Sequence, residues 1–161
     1  MTSNGHSAAV PARLWYRRMY RGEETQIRDL RRWICDRLPQ CAARDDVIVV
    51  AAELATNAVK HTGSGRGGWF TIDLSWHPFA VRIAVADQGA PSGPELTGDP
   101  GPLAESGRGL QVVRGLSART GVVGDHHGRV VWAELPWPGD AAAAPWPGSA
   151  PELPRTGTSW I

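Results

Sequence analysis

The sequence lacks the features that mark several specialised classes of protein. Its 161 residues include only two cysteines and no apolar run long enough to cross a bilayer. The first dozen residues, MTSNGHSAAVPA, lack the charged and apolar regions of a signal peptide. The formal net charge of +1 gives no overall field toward nucleic acid or a membrane surface. We therefore expect a cytoplasmic protein that binds neither nucleic acid directly nor a membrane.

The two cysteines do not form a recognisable metal or redox motif. Cys35 and Cys41 lie on or just after a predicted helix, without a Cys-x-x-Cys spacing or a nearby histidine pair. Cysteines that bind zinc or exchange disulfides follow such spacings. The sequence therefore predicts two free thiols in a reducing compartment.

Length and composition predict one folded domain between two tails. Hydrophobic residues make up 42% and charged residues 20% of the chain, which is ordinary for a globular protein with a core. We expect the domain to span residues 13–136, after a flexible tail over residues 1–12. Residues 137–161 are rich in proline and alanine, a composition typical of a disordered tail.

The stretch AAELATNAVKH, residues 51–61, combines an apolar helix face with an unusual polar one. At about 100° per residue, four polar side chains share one narrow arc of the helix. These are Glu53, Asn57, Lys60 and His61. An asparagine oxygen can hold a divalent cation, a carboxylate can orient a hydroxyl, and basic groups can meet phosphates. For this helix considered by itself, an ordinary solvated face is the alternative.

Periodicity and chain breakers predict the order strand, helix, helix, hairpin, helix, hairpin. The helices are predicted over residues 23–38, 45–62 and 107–117. The strands are predicted over residues 14–20, 69–76, 80–86, 119–124 and 129–135. Together these elements predict an α+β two-layer sandwich, in which helices cover one face of a mixed, mostly antiparallel sheet.

The strand over residues 80–86 is followed by a carboxylate in an unusual position. Asp87 has the parity of Val81 and Val85, so its side chain is predicted to face the helices. A carboxylate aimed at the core is costly without a partner. Gly89 gives the backbone freedom to approach a flat ring closely. Asp87 is therefore a candidate ligand-binding residue, with a cap on the following loop as the alternative.

Residues 88–106 contain four glycines and four prolines and show no periodicity. A loop of this length inside a compact domain is often a functional lid, and a plain surface insertion is the alternative. Gly107, Arg108 and Gly109 then open a helix. The N–H groups at a helix start bind phosphate, and glycines let phosphates come close. This stretch is therefore a candidate phosphate site next to a lid.

Three motifs in this order resemble those of a known family. They are E-x-x-x-N-A-x-K-H from Glu53, D-x-G-x-P from Asp87 and G-R-G-L from Gly107. They resemble the N, G1 and G2 boxes of the GHKL ATPase superfamily, which includes gyrase, histidine kinases and the mismatch-repair ATPases. The resemblance covers about residues 13–136 and implies a histidine-kinase-like ATPase fold with ATP and Mg²⁺ as cofactors. The short chain looks most like the anti-sigma-factor serine/threonine kinase branch.

The resemblance also implies a role for each matching residue. Asn57 looks like the Mg²⁺ ligand, and Glu53 looks like the general base or the group that orients the attacking hydroxyl. Asp87 and Gly89 look like the adenine clamp. The residues implied to contact phosphate or ribose are Lys60, His61, Gly107, Arg108, Gly109 and Leu110. Pro91 is a departure, because many relatives have a second glycine there.

The resemblance implies a regulatory protein that uses ATP. The first expectation is a kinase that phosphorylates a small anti-anti-sigma-like protein and sequesters a sigma factor. The alternative is an ATP- or ADP-binding switch that holds a partner without phosphorylating it. No phospho-acceptor domain or dimerising helix pair is recognisable, so a complete histidine kinase is not expected, and a homodimer stays open. Partner binding is expected at residues 14–20 and at the arginine face of the first helix, formed by Arg28, Arg31, Arg32 and Arg37.

Overall fold

The computed structural model describes residues 14–77, 79–90 and 105–137. Its strands are β1 (Leu14–Arg21), β2 (Trp69–His77), β3 (Ala80–Asp87), β4 (Arg119–Asp125) and β5 (Gly128–Pro136). Its helices are α1 (Gln26–Cys35), α2 (Ala42–His61) and α3 (Glu105–Leu116), and a short 3-10 turn, Gly63–Gly65, follows α2. The predicted types and order of these elements are confirmed.

The strands form one sheet in the order β1-β2-β3-β5-β4. All four pairings between the described strands are antiparallel, so the expected α+β sandwich is confirmed but its described sheet is not mixed. β5 lies between β3 and β4 because α3 carries the chain across the sheet before the last hairpin. This crossover pairs the end of β3 with the start of β5, where Asp87 lies opposite Arg129.

The helices pack on one face of the sheet, and the alternation of side chains selects that face. Phe70, Ile72 and Leu74 of β2 point into this layer and are fully buried. α2 lies at its centre, between α1 and α3, and small residues such as Ala51 and Ala55 let it approach the strands closely. Burying one large apolar side chain contributes about 1.5–3 kcal/mol, so this layer is the main source of folding free energy.

α1 is shorter than the helix predicted over residues 23–38. The chain before it forms a turn, in which the Gln26 N–H donates to the Glu23 carbonyl over 3.0 Å. After the helix, the Leu38 N–H donates to the Ile34 carbonyl over 3.1 Å, which closes the last turn. Leu38 still packs in the core, so its apolar spacing is correct although its backbone has left the helix.

The predicted arginine face of α1 is divided by the fold. Arg28, Arg31 and Arg32 are exposed, as expected. Arg37 follows the helix instead, and its Nη1 donates to the Trp33 carbonyl over 2.9 Å. Its guanidinium also lies 4.5 Å from the centre of the Trp33 ring. Arg37 therefore holds the end of α1 and does not belong to the open basic face.

α2 begins at Ala42, before the predicted start at residue 45, and runs for 20 residues. Asp45 lies in its first turn, where a negative charge is favourable because the helix dipole is positive there. No helix within the described ranges is both long and apolar enough to cross a membrane.

The folded domain reaches one residue further than predicted. Trp137, expected at the start of the second tail, is 7% exposed and packs in the core. Its N–H donates to the Phe79 carbonyl over 2.9 Å, and its ring meets the edge of Trp76 at 6.2 Å between centres. The predicted tails over residues 1–12 and 138–161 lie outside the described residues.

Candidate functional site

Glu53 and Asn57 lie one turn apart on the side of α2 that does not pack on the sheet. Both residues are partly buried, whereas Ala51, Ala55 and Ala58 on the other side are buried. Residues at i and i+4 of a helix are neighbours on its surface. The carboxylate and the carboxamide can therefore act on one ligand.

Asn57 carries a buried polar atom that the protein does not satisfy. Its Nδ2 is shielded from solvent and has no hydrogen-bond partner in the described part of the chain. Leaving such a group unpaired costs about 1–3 kcal/mol. Rotation of the amide exchanges the positions of its nitrogen and its oxygen. A ligand can therefore satisfy Asn57 either by accepting a hydrogen bond from the nitrogen or by placing a cation at the oxygen. The Asn57 amide thus fits the expected Mg²⁺ and phosphate ligand.

Glu53 lies against helix α3 at a glycine. A Cβ atom added to Gly109 would collide with Glu53 Oε2, so the end of the glutamate side chain would have to move away. This contact places the carboxylate between the two helices. The G-R-G-L motif is therefore brought directly to Glu53, 56 positions earlier in the chain.

α3 begins at Glu105, two residues before the predicted start at Gly107. The first four N–H groups of a helix, counted from the residue before its first helical position, have no intrahelical acceptor, so that of Gly107 remains a candidate phosphate donor. The N–H of Gly109, four residues after Glu105, has an acceptor within the helix. The Arg108 side chain is exposed, and Leu110 packs against the core. Gly109 thus supplies space for Glu53, and no open N–H.

Lys60 and His61 form the last turn of α2, and both are exposed. The Lys60 Nζ lies 4.0 Å from Glu24 Oε1, and both side chains are more than half exposed. An exposed ion pair at this distance adds little stability. The fold therefore leaves both basic side chains at the surface, where a ligand can reach them.

Asp87 faces the helix layer, as its parity predicted, and its side chain is only 5% exposed. Its Oδ1 accepts a hydrogen bond from the Gly89 N–H at 2.7 Å and lies 3.8 Å from Arg129 Nε. Burial raises the pKa of Asp87, while the Gly89 N–H and the Arg129 guanidinium act in the opposite direction. The alternative of a loop cap is also realised, because the same carboxylate holds the Gly89 turn.

Gly89 is required by its own backbone conformation. Its φ of +72° lies in the left-handed region that favours glycine. A Cβ atom there would also collide with the His126 carbonyl in the β4–β5 turn. The Gly63 N–H donates to the Gly89 carbonyl over 2.7 Å. Gly89 thus joins the end of β3 to two neighbouring loops.

A hydrogen-bonded network under Asp87 was not predicted from the sequence. The Gln88 N–H donates to Ser64 Oγ at 3.0 Å, and Gln88 Oε1 accepts from the Trp69 N–H at 2.9 Å. The fully buried Ser64 is held by its own N–H, which donates to Thr62 Oγ1 at 3.1 Å. The glycine-rich loop is therefore a support of the site. Thr62 and Ser64 after a helix end were the available signal, because such hydroxyls bond to local backbone.

The predicted lid over residues 88–106 has ordered ends. Gln88 is bonded as described, Ala90 is 8% exposed, and Glu105 already belongs to α3. The predicted lid movement concerns residues 88–106, of which residues 91–104, including Pro91, lie outside the described residues. It stays a prediction.

The fold gathers several of the predicted residues into two groups. One group lies where α2 meets α3, with Glu53 against Gly109 and Asn57 one turn away on α2. The other lies where β3 meets β5 and the glycine-rich loop, and it consists of Asp87 and Gly89. α2 packs on both β3 and β5, so one helix connects the two groups.

Comparison with known proteins agrees with this arrangement. The family described as the histidine kinase-like ATPase domain matches residues 22–135, which is most of the 161-residue chain. No curated protein matches the chain. The matched range contains both groups of site residues and every described element except the edge strand β1 and the last residue of β5. The chain therefore belongs to the histidine kinase-like ATPase domain family.

Proposed function

We propose that this protein is a Mg²⁺-ATP-dependent serine/threonine kinase that phosphorylates a small regulatory protein and also holds a sigma factor. Family membership supports ATP binding. The choice of a protein hydroxyl as acceptor, and of a sigma factor as partner, follows from the motif resemblance and is part of the proposal.

One observation carries the proposal, namely the position of Glu53 between α2 and α3, one turn from Asn57. A carboxylate there can accept the proton of an incoming serine or threonine hydroxyl while the hydroxyl oxygen attacks the γ-phosphorus of ATP. The bond between that phosphorus and the ADP oxygen then breaks. Positioned acid–base groups of this kind typically contribute 10²–10⁴-fold in rate.

The remaining site residues bind and orient the nucleotide. Asn57 would hold Mg²⁺, which supplies charge neutralisation at the phosphates. The open N–H groups at the start of α3 bind phosphate oxygens. Asp87 accepts a hydrogen bond from the exocyclic amine of adenine. The proposal thus assigns proton transfer to Glu53 on α2 and recognition of the adenine base to Asp87 on β3.

Two exposed surfaces support the partner-holding role. The edge strand β1 carries Trp15 at 55% exposure and Met19 at 60%. α1 presents Arg28 and Arg31 to solvent. Large apolar and basic side chains of this kind suit an acidic protein partner. Charge reversal at Arg28 and Arg31 should release the partner without changing ATP affinity.

The test is transfer of radiolabel from γ-labelled ATP to proteins co-purified with the chain. We expect labelling by the wild type, and Glu53→Gln should retain ATP binding while it loses transfer. The matched control is Glu23→Gln, an exposed glutamate outside the site, which should label as the wild type does.

The alternative is a nucleotide-dependent switch that binds a partner without phosphorylating it. It shares the Asp87 and Asn57 observations, but it assigns no chemistry to Glu53. If the wild type binds ATP and a partner yet labels nothing, the kinase proposal is wrong and the switch stands.

A further inference from the structure

Ser64 is a buried serine between two parts of the proposed nucleotide site. It follows the end of α2, it is fully buried, and it belongs to none of the three motifs. Its Oγ accepts a hydrogen bond of 3.0 Å from the N–H of Gln88, the residue after Asp87. Because β3 ends at Asp87, this N–H lies beyond the strand pairing and needs another acceptor. Ser64 therefore holds the backbone next to the carboxylate that is proposed to bind adenine.

Ser64 is itself fixed to the end of α2. Its N–H donates to Thr62 Oγ1 over 3.1 Å, and Thr62 Oγ1 donates to the Ala58 carbonyl over 2.6 Å. Serine and threonine hydroxyls at a helix end commonly make such local bonds to the backbone. Ala58 directly follows Asn57 on the helix. The position of Ser64 is therefore set by the last turn of α2, the helix that carries the proposed Mg²⁺ ligand.

A second hydrogen bond joins the same two segments. The Gly63 N–H donates to the Gly89 carbonyl over 2.7 Å. The Gly89 N–H in turn donates to Asp87 Oδ1 over 2.7 Å, which orients the carboxylate. The backbone that carries Asp87 is thus anchored at two points to the chain that leaves α2. This connection sets the position of Asp87 relative to Asn57.

We propose that Ser64 is a positioning residue, which holds Asp87 where one ATP molecule can reach both Asp87 and Asn57. The inference rests on the proposed nucleotide site and deepens it, since the base and the phosphates of ATP must meet these two residues together. Hydrogen bonds weaken steeply when distance or angle departs from the optimum. A small displacement of the Asp87 carboxylate therefore weakens its bond to the adenine amine, and Ser64 prevents that displacement through Gln88.

The test compares ATP with purine riboside triphosphate, which lacks the C6 amine, by titration calorimetry on the intact chain in Mg²⁺. The wild type should prefer ATP by about 10- to 100-fold, the range of a hydrogen bond to a charged group. Ser64→Ala should reduce that preference to less than about threefold, because the displaced Asp87 no longer makes the bond. A role in stability alone would leave the preference of the folded protein unchanged.

Two further serine variants serve as controls. Ser75 is also buried, in β2 on the face of the sheet away from the helices, so Ser75→Ala should keep the preference of the wild type. Ser64→Cys keeps a weak acceptor at the same place and should recover part of the preference. Thermal unfolding of each variant shows whether it is folded at the temperature of the titration.

Gly63→Ala tests the same connection without removing a hydrogen-bonding group. A Cβ atom at Gly63 would lie 3.3 Å from the Gln88 carbonyl oxygen, a tight contact that pushes the two segments apart. The preference for ATP should therefore fall in this variant as well.

The outcomes separate this inference from the proposed function. If folded Ser64→Ala prefers ATP as strongly as the wild type does, Ser64 is only structural and the inference is wrong, while the ATP site stands. Should Ser64→Ala not fold, an unchanged preference in Gly63→Ala overturns the inference. Equal affinity of the wild type for both nucleotides also overturns it, because Asp87 then makes no bond to the amine. If the wild type does not bind ATP, the proposed function and this inference fail together.

Discussion

Buried polar and charged groups are paired differently on the two sides of the sheet. On the face away from the helices, Glu134 has one carboxylate oxygen 3.4 Å from Arg82 and the other 3.5 Å from Arg119. The Arg82 guanidinium also lies 4.1 Å from the centre of the Trp132 ring. On the helix side, the Asp87 carboxylate accepts a hydrogen bond from the Gly89 N–H and lies 3.8 Å from Arg129 Nε, while Asn57 Nδ2 has no hydrogen-bond partner among the described residues.

This difference separates a charge cluster that the protein itself pairs from the Asn57 amide, whose nitrogen has no partner in the described ranges. The Glu134 cluster is satisfied by the protein itself, so its removal should cost stability. The buried Asn57 nitrogen is unsatisfied within the described residues, and burial raises the pKa of Asp87, so both groups reduce stability at neutral pH in the absence of ligand and favour binding.

Breaking the outer cluster should destabilise the protein most. Glu134→Ala leaves the buried Arg82 without its carboxylate, a change that typically costs about 3–5 kcal/mol. The measurement is urea unfolding at neutral pH, with Asn57→Ala as the comparison from the helix layer. Asn57→Ala should stay within about 0.5 kcal/mol of the wild type or exceed it, since it removes an unpaired group. Similar losses in both variants would contradict the contrast.

Asp87→Asn should lower the affinity for ATP and increase the stability of the ligand-free protein. We expect its ATP affinity to fall by about 1.5–3 kcal/mol, because a charged acceptor is replaced by an amide. The pKa of Asp87 is raised by burial, so the folded state favours the protonated form. The wild type should therefore lose stability as pH rises from the ordinary value of 3.8 through the raised pKa, and Asp87→Asn should not.

The comparison for Asp87 is made in the ligand-free protein, by unfolding at several pH values. Loss of stability at neutral pH in Asp87→Asn would mean that the carboxylate supports the fold, as the outer charges do. Retained ATP affinity would remove Asp87 from the site.

Gly109→Ala should impair transfer more than binding. The added methyl group collides with Glu53 Oε2, and a displaced catalytic group typically costs up to about 10²-fold in rate. Nucleotide affinity should change little, because the Gly109 N–H has its acceptor within α3. Gly115→Ala is the matched control on the same helix, since a Cβ there meets nothing within 4 Å. Gly115→Ala should stabilise α3 by about 0.5–1 kcal/mol and leave transfer unchanged.

The smallest effects are expected at the end of α2. Glu24→Gln breaks the contact with Lys60 and should change stability by less than about 0.5 kcal/mol, because both side chains are exposed. Lys60 is the only lysine of the chain, so an acyl-phosphate derivative of ATP reports on it specifically. We expect labelling of Lys60 that excess ATP prevents. Labelling that ATP does not reduce would place Lys60 outside the site.

The fold was largely predictable because its signals are local. The alternation in β2 and the parity of Asp87 follow from the two-residue period of a strand, and both are confirmed. Helix boundaries were less accurate, because α1 and α3 are limited by turns and packing that composition does not encode. Leu38 illustrates this, since its apolar side chain is in the core but its backbone is outside α1.

The site was predictable only where its residues belong to a motif. Glu53, Asn57 and Asp87 were found in this way, and their roles remain predictions. Ser64 and Arg129 were missed because their importance depends on contacts made by the fold. Ser64 meets Gln88 across 24 positions of sequence, and Arg129 meets Asp87 through the crossover that inserts β5 beside β3.

The central claim is that the incompletely satisfied groups form a Mg²⁺-ATP site, and calorimetric titration tests it most directly. Wild type and Asn57→Ala are titrated with ATP, once in Mg²⁺ and once in EDTA. We predict that the wild type binds ATP more tightly in Mg²⁺, and that Asn57→Ala loses affinity mainly in Mg²⁺ because Asn57 acts through the cation. Absence of binding by the wild type, or an equal loss in both buffers, would contradict the account.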